Sequence, residues 1–246
     1  MSTVVREWLD QLERRHLAEL TPAEVARALR ALSSCYVERR GKLAAGGALE
    51  GRGKRAAFAL FYGPLHFFVV TEIVRALGPI RLDEIIDLGC GTGAAGAAFA
   101  IETGAKRIDG IDRSAWAVAE ANWTYKQLAL SGRAVRGDLD RFRTRIGKGA
   151  GIVAAYTVNE LSRDARTSFF AELLRAAKRG ARVLIVEPIA RGAAPWWDEW
   201  ASAVERTGGR TDEWRFRSDL PARQRDLARA AGLDPRELTA RTLWVQ

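Results

Sequence analysis

Glu84-Ile85-Ile86-Asp87-Leu88-Gly89-Cys90-Gly91-Thr92-Gly93-Ala94-Ala95-Gly96 is the stretch around which the chain is organised. A short apolar run ends in an acid, glycines follow at alternate positions, and small residues come next. That order predicts a buried strand turning sharply into the N-terminus of a helix. The glycines permit positive φ and leave no side chain between the main chain and a ligand lying across the strand end.

Two ligand classes suit this spacing. Gly91-x-Gly93-x-x-Gly96 satisfies the dinucleotide fingerprint, in which a pyrophosphate rests on the helix N-terminus. Asp87, two residues before the first glycine, would bring a negative charge close to that phosphate. It suits instead a ligand with an ammonium, a sulfonium and ribose hydroxyls, a description that S-adenosylmethionine meets. Asp112 closes the next apolar run, Ile108-Asp109-Gly110-Ile111, where a second parallel strand would offer a carboxylate to a ribose diol.

Asp87-x-Gly89-x-Gly91-x-Gly93, with Asp112 and Asp138 ending the next two strands, resembles a class I S-adenosylmethionine-dependent methyltransferase. The resemblance runs from about residue 84 to 188. It implies an α/β fold with a Rossmann-like, doubly wound, mostly parallel sheet, and S-adenosylmethionine as cofactor. It also implies that Gly89, Cys90, Gly91 and Gly93 form the cofactor loop and that Asp112 and Arg113 lie along the ribose and adenine. Asp138 would accept from the adenine amino group with Leu139 beside the ring, and Tyr156 would face the donor.

The flanking sequence fits that frame. Helical spacing of apolar residues marks 3–19, and Thr21-Pro22-Ala23-Glu24 is a capping box that opens a second helix. Residues 41–53 form a glycine-rich connector that ends in the basic cluster Arg52-Gly53-Lys54-Arg55. Residues 56–77 read as helix, break at Gly63-Pro64, and helix. The segments 84–88, 94–102, 106–111 and 114–130 then alternate strand, helix, strand, helix, which implies a parallel sheet. Strands follow at 134–136, 151–156 and 182–186, with a helix from Ser162 to 178. A helix near Pro195, a strand at 214–217, a helix over 220–231, a capping box at Asp234-Pro235-Arg236-Glu237 and a closing strand over 238–245 complete the chain. The expected division is a helical extension over 1–77 and a cofactor-binding domain over 78–246.

At 246 residues the chain can bury one sizeable core. Lys and Arg number 39 against 30 acids, a net charge of +9 that favours an anionic partner such as RNA or a ribonucleoprotein. Only six of the 39 are Lys, a bias that GC-rich coding also produces. Cys35, Cys90, His16 and His66 cannot build a four-ligand metal site without carboxylates, so no metal is expected. Met1 to Leu20 has no apolar signal core, and a reduced, cytoplasmic protein is the expectation. The apolar stretch 56–70 is interrupted and falls short of the ~20 residues of a membrane span.

Methyl transfer is an in-line displacement at a sulfonium carbon, so the protein must chiefly align the acceptor and exclude water. Tyr156-Thr157-Val158-Asn159-Glu160-Leu161, at the end of the fourth strand, supplies the candidate groups. Glu160 would orient or deprotonate the acceptor, with Asn159 and Tyr156 as hydrogen-bonding partners. The Asn/Asp-Pro-Pro-aromatic motif of enzymes that methylate exocyclic base nitrogens is absent here. Tyr62, His66 and Arg55 are candidate substrate contacts; His66 alternatively fills the core. Trp196, Trp197 and Trp200 offer a stacking platform or core packing.

Tyr36-Val37-Glu38-Arg39-Arg40, Phe61-Tyr62-x-Pro64-x-His66, Tyr156-x-x-Asn159-Glu160-Leu161 and Asp212-Glu213-Trp214-x-Phe216 together give a narrower resemblance. It is to the ribosomal small-subunit methyltransferase-like family of bacteria and mitochondria, and it implies an RNA or ribosome-associated target. The clustered cysteines that many members carry after the fifth strand are missing. A small-molecule acceptor and a non-catalytic, cofactor-binding assembly role remain the alternatives.

Overall fold

A computed structural model describes residues 1–38, 49–190, 194–217, 220–234 and 236–246, without the side chains of 35–38. Most of the glycine-rich connector, Arg39 and Arg40 of the 36–40 motif, and Pro235 lie outside the described residues.

Helix α1 spans Thr3–His16, with Ser2 accepting from Val5 N as its cap. Helix α2 spans Pro22–Glu38; the Thr21 hydroxyl accepts from Glu24 N while the Glu24 carboxylate accepts from Thr21 N, the reciprocal box expected from the sequence.

The next element departs from expectation. Helix α3 runs without a break over Arg52–Leu77, so the basic cluster that was read as connector is its first turn. Residues Phe58–Tyr62 form a π turn, with Gly63 N donating to Phe58 O. Pro64 falls at the start of the resumed α segment, and the turn absorbs it without dividing the helix. Pro64 cannot donate to the Leu60 carbonyl four residues back, and the Gln224 side chain does so instead at 3.2 Å. At 26 residues α3 is long and apolar enough to cross a membrane by length and composition, against the sequence expectation. Two thirds of its most apolar window is buried inside the fold.

Then follow β1 (Glu84–Leu88), α4 (Ala94–Thr103), β2 (Arg107–Asp112), α5 (Ala115–Gln127), β3 (Ser131–Arg136), β4 (Ala150–Ala155), α6 (Arg163–Lys178) and β5 (Arg182–Glu187). The chain ends with α7 (Trp197–Arg206), β6 (Arg210–Arg217), α8 (Ala222–Ala230) and β7 (Glu237–Val245). Strands β3 and β6 begin earlier than the apolar pattern suggested, because their first residues are polar edge positions. The expected capping box at 234–237 caps no helix. Asp234 accepts from Arg236 N in a tight turn, and Glu237 opens a strand.

The sheet has the order β3-β2-β1-β4-β5-β7-β6. Strands β1 to β5 pair in parallel, and β7 runs antiparallel between β5 and β6. This is the doubly wound, mostly parallel α/β fold, with buried clusters on both faces. On one face Ile85, Val153, Leu184 and Trp244 pack with α4, α5 and the N-terminal helices, whose Trp8, Leu9, Leu29 and Leu60 join the same cluster. On the other, Ile152, Val183, Ile185 and Leu243 meet Phe169 and Leu173 of α6 and Trp197, Trp200 and Val204 of α7. Every residue of β4 but the last is buried, as a central parallel strand requires. The carboxyl ends of β1, β2, β4 and β5 therefore open onto one crevice, where ligands bind in open α/β sheets.

Candidate active site

The β1–α4 loop is held by backbone bonds. Gly89 N and Cys90 N both donate to Ile111 O, at 2.8 and 3.0 Å, and Gly93 N donates to Cys90 O at 2.7 Å. Gly89, Gly91 and Gly93 have φ of 69°, 51° and 75°, a region that disfavours other residues. The loop also sits tightly on the segment that follows β4: a Cβ at Gly89 would fall 1.9 Å from Thr157 Oγ1. At Gly91 it would meet only Phe58, at 3.7 Å, across the cavity that the loop borders.

That cavity has a volume of about 710 Å³. Of the residues expected from the sequence, Asp87, Gly89, Cys90, Gly91, Asp112, Arg113, Tyr156, Asn159, Glu160, Tyr62 and His66 all line it. Gly93 does not; it packs on Ala121 and Tyr125 while capping α4. Asp138 is exposed and accepts from Asp140 N at 3.0 Å, and Leu139 is buried in the core behind β4. Arg55 stands one ring back. Its Nε donates to Leu49 O, and its guanidinium lies 5.8 Å from the ring of Trp116, which meets Phe58 edge-on.

The acids serve different purposes. Asp87 is 1% exposed and accepts from Tyr125 Oη at 3.3 Å and from Gly96 N, so it ties the start of α4 to the strand end. Burial pushes its carboxyl up to about 7, against the hydrogen bond from Tyr125. The sequence reading gave that charge to the ligand, whereas the structure engages it within the loop. Asp112 is placed otherwise: one oxygen accepts from Gly91 N at 2.9 Å and the other from Ser114 N at 2.8 Å. Each oxygen keeps lone-pair capacity toward the cavity.

An aromatic wall faces these acids. His66 stacks on Tyr156 at 4.0 Å and 18°, with Phe58 and Tyr62 at about 6 Å from the imidazole. Although the imidazole keeps some surface on the cavity, desolvation pushes it down to about 3, so it is neutral at physiological pH. Tyr156 adopts φ 59°, an outlier for a bulky residue and a form of strain that clusters at functional sites. Burial, with Glu187 nearby, raises its phenol well above the usual range.

Glu160 ends the short 3₁₀ turn Val158–Glu160, and its Oε2 meets Arg113 Nη2 at 3.0 Å. About a third of its side chain is exposed, yet desolvation pushes it up to about 7, with the Arg113 charge opposing. Ser162 caps α6, its side chain accepting from Ala165 N. Trp196, Trp197 and Trp200 are buried behind the sheet and do not line the cavity.

Sequence reasoning missed Glu187, Arg136, Phe58 and the β7 start Glu237-Leu238-Thr239, all of which line the cavity. Glu187 had a signal: like Asp87 and Asp112, it is an acid ending a buried apolar strand.

Residues 85–180 match a family model described as a methyltransferase domain. No curated protein matches the chain. The methyltransferase domain of a bacterial Hen1 superposes with a TM-score of 0.50 at 14% identity, covering 74% of this chain and 98% of that one. A TehB-like S-adenosylmethionine-dependent methyltransferase from Corynebacterium glutamicum is 25% identical, with a TM-score of 0.45 and coverage of 71% and 86%. A Geobacter sulfurreducens methyltransferase crystallised with S-adenosylhomocysteine is 16% identical, with a TM-score of 0.48 and coverage of 73% and 90%. The match to the methyltransferase-domain model is confined to residues 85–180, and the superposition on the Hen1 domain shows the same fold.

Proposed function

We propose that the chain is an S-adenosylmethionine-dependent methyltransferase that acts on RNA or a ribosome-associated target, taking one residue of it into the cavity. The observation that carries the reading is a charge contrast. The chain is +9 overall, and Arg113 and Arg136 border a cavity whose remaining charged lining is acidic. Phosphates would stay on the basic surface while an uncharged acceptor enters. The narrower resemblance of the 156–161 and 212–216 motifs supports the same target class.

The residues fit the cofactor. Asp112 would receive the ribose hydroxyls, the Gly89–Gly91 main chain would lie against the amino-acid end, and the absent Cβ of Gly91 leaves room for it. When bound, S-adenosylmethionine supplies an activated methyl on a sulfonium. The protein then has three tasks. His66, Tyr156, Phe58 and Tyr62 exclude water and offer a flat wall to an acceptor ring. Asp87 keeps the loop in shape. Glu160, poised near neutrality, takes a proton from an acceptor that arrives protonated.

The aromatic wall also favours a second reading, a small planar metabolite as acceptor. Incubation of the protein with methyl-labelled S-adenosylmethionine and fractionated cell extract separates the two. Label in RNA, with RNA affinity falling steeply as salt rises, supports the proposal; label confined to small molecules overturns it in favour of the second reading. We propose a cytoplasmic location and the 77/78 division on the sequence grounds already given.

A further inference from the structure

We infer that Glu187 and Trp196 are positioning residues for methyl transfer, which hold the Val158–Glu160 turn in place through Asn159. The inference rests on methyl transfer in this cavity and is independent of what the acceptor is.

Asn159 lines the cavity, yet both ends of its side-chain amide are engaged. Nδ2 donates to Glu187 Oε2 at 2.7 Å, and Oδ1 accepts from Trp196 Nε1 at 2.8 Å. The other oxygen of Glu187 accepts from Val158 N at 3.2 Å. One carboxylate thus grips the main chain of one residue and the side chain of the next. The sequence reading made Asn159 a partner of the acceptor; its amide also links the turn to its anchor, and it retains one N–H and one lone pair.

The anchor is built at a cost. Glu187 is 0% exposed, and an isolated buried carboxylate is strongly disfavoured. Arg241 stands opposite it in the β5–β7 register, is itself 3% exposed, and favours the ionised form of Glu187. The Arg241 guanidinium lies 4.1 Å from the Trp197 ring, the neighbour of Trp196. Breaking such a buried group is damaging, and a hydrophobic replacement would often serve stability as well. Its place at the strand end fits a geometric role.

What it positions is the chemical end of the cavity. The turn begins two residues after the strained Tyr156, with Thr157 between them, and ends in Glu160. Its own backbone bonds are only Glu160 N to Thr157 O and Leu161 N to Val158 O, among the described residues. The direction in which Glu160 faces the cavity therefore depends on Glu187 and Trp196.

The test uses full-length Glu187→Gln and Trp196→Phe proteins. A Gln must aim its NH₂ at Val158 N–H or at the Asn159 NH₂, donor against donor; a Phe removes the indole N–H and leaves a ring beside Trp200. Hydrogen exchange of the peptide spanning 155–162 should accelerate about tenfold in each, with exchange elsewhere unchanged. In the extract fraction that the wild type labels, kcat should fall about tenfold with KM for S-adenosylmethionine unchanged. Trp196→Phe guards against a Glu187→Gln protein that does not fold. Unchanged exchange at 155–162 in Trp196→Phe, or a loss of kcat that tracks only global unfolding, overturns the inference. A wild type that labels no fraction counts against the proposed function, and the exchange measurement still decides the inference.

Discussion

The Gln224 side chain donates to the Leu60 carbonyl at 3.2 Å and so joins α8 to the π turn of α3. It stands in for the N–H that Pro64 lacks. Replacing Gln224 by Leu removes this donor from the Leu60 carbonyl and should cost about 0.5–1.5 kcal/mol in chemical denaturation. Pro64→Ala restores a backbone donor, so in the Gln224→Leu background it should recover part of that loss. Strict additivity of the two changes would show that the bonds are unrelated.

Gly96 lies over Asp87, and a Cβ there would fall 2.2 Å from Asp87 Oδ2. Gly96→Ala should therefore displace the carboxylate from Tyr125 and from the start of α4. We expect a loss of about 1–3 kcal/mol, the scale of core overpacking, together with weaker binding of S-adenosylhomocysteine. Wild-type melting behaviour in Gly96→Ala would contradict this placement of Asp87.

Stability should depend on pH in two windows. Asp87 and Glu160 are raised to about 7, chiefly by burial. The folded protein thus keeps protons that the unfolded chain releases near 4, so this contribution is complete below about 4 and is lost as pH rises from there through about 7. Glu120 behaves oppositely. It is 3% exposed, and His16 and Arg15 outweigh its desolvation and hold it below the usual value. Its contribution is present above about 4.5 and fails as pH falls through its lowered value. Thermal melts should peak between the two windows, and Asp87→Asn should flatten the decline on the alkaline side. An equally steep decline in that variant would remove Asp87 from the account.

Arg113 opposes the rise of the Glu160 pKa, at an N–O distance of 3.0 Å. In Arg113→Ala, Glu160 should hold its proton to higher pH. The acid limb of the methyl-transfer rate profile should then move to more alkaline values, while Glu160→Gln should abolish that limb. A limb that stays in place in both variants would mean that another group limits the rate.

The fold was largely legible because its signals are local. Strand β1, the glycine loop and the acid that closes β2 each follow from adjacent residues, and alternation of strands with helices gave the parallel order. What escaped depends on distant partners. The continuity of α3 through Pro64 needs Gln224, far along the chain. Asp87 met the expected motif, but only the folded chain places Tyr125 and Gly96 N on it. Asp138 was expected at the adenine by resemblance, and the structure gives its carboxylate to the turn at Asp140. Glu187 and Trp196 reach Asn159 across 28 and 37 positions, a separation that no periodicity reveals.

Calorimetric titration of S-adenosylmethionine into the wild type and Asp112→Ala, both verified as folded by circular dichroism, tests the central claim most directly. Binding in the wild type, weakened about tenfold or more in the variant by loss of charge-assisted hydrogen bonds, is the predicted result. Equal affinity in the two proteins, or a wild type that binds a nicotinamide dinucleotide and not S-adenosylmethionine, would contradict the account.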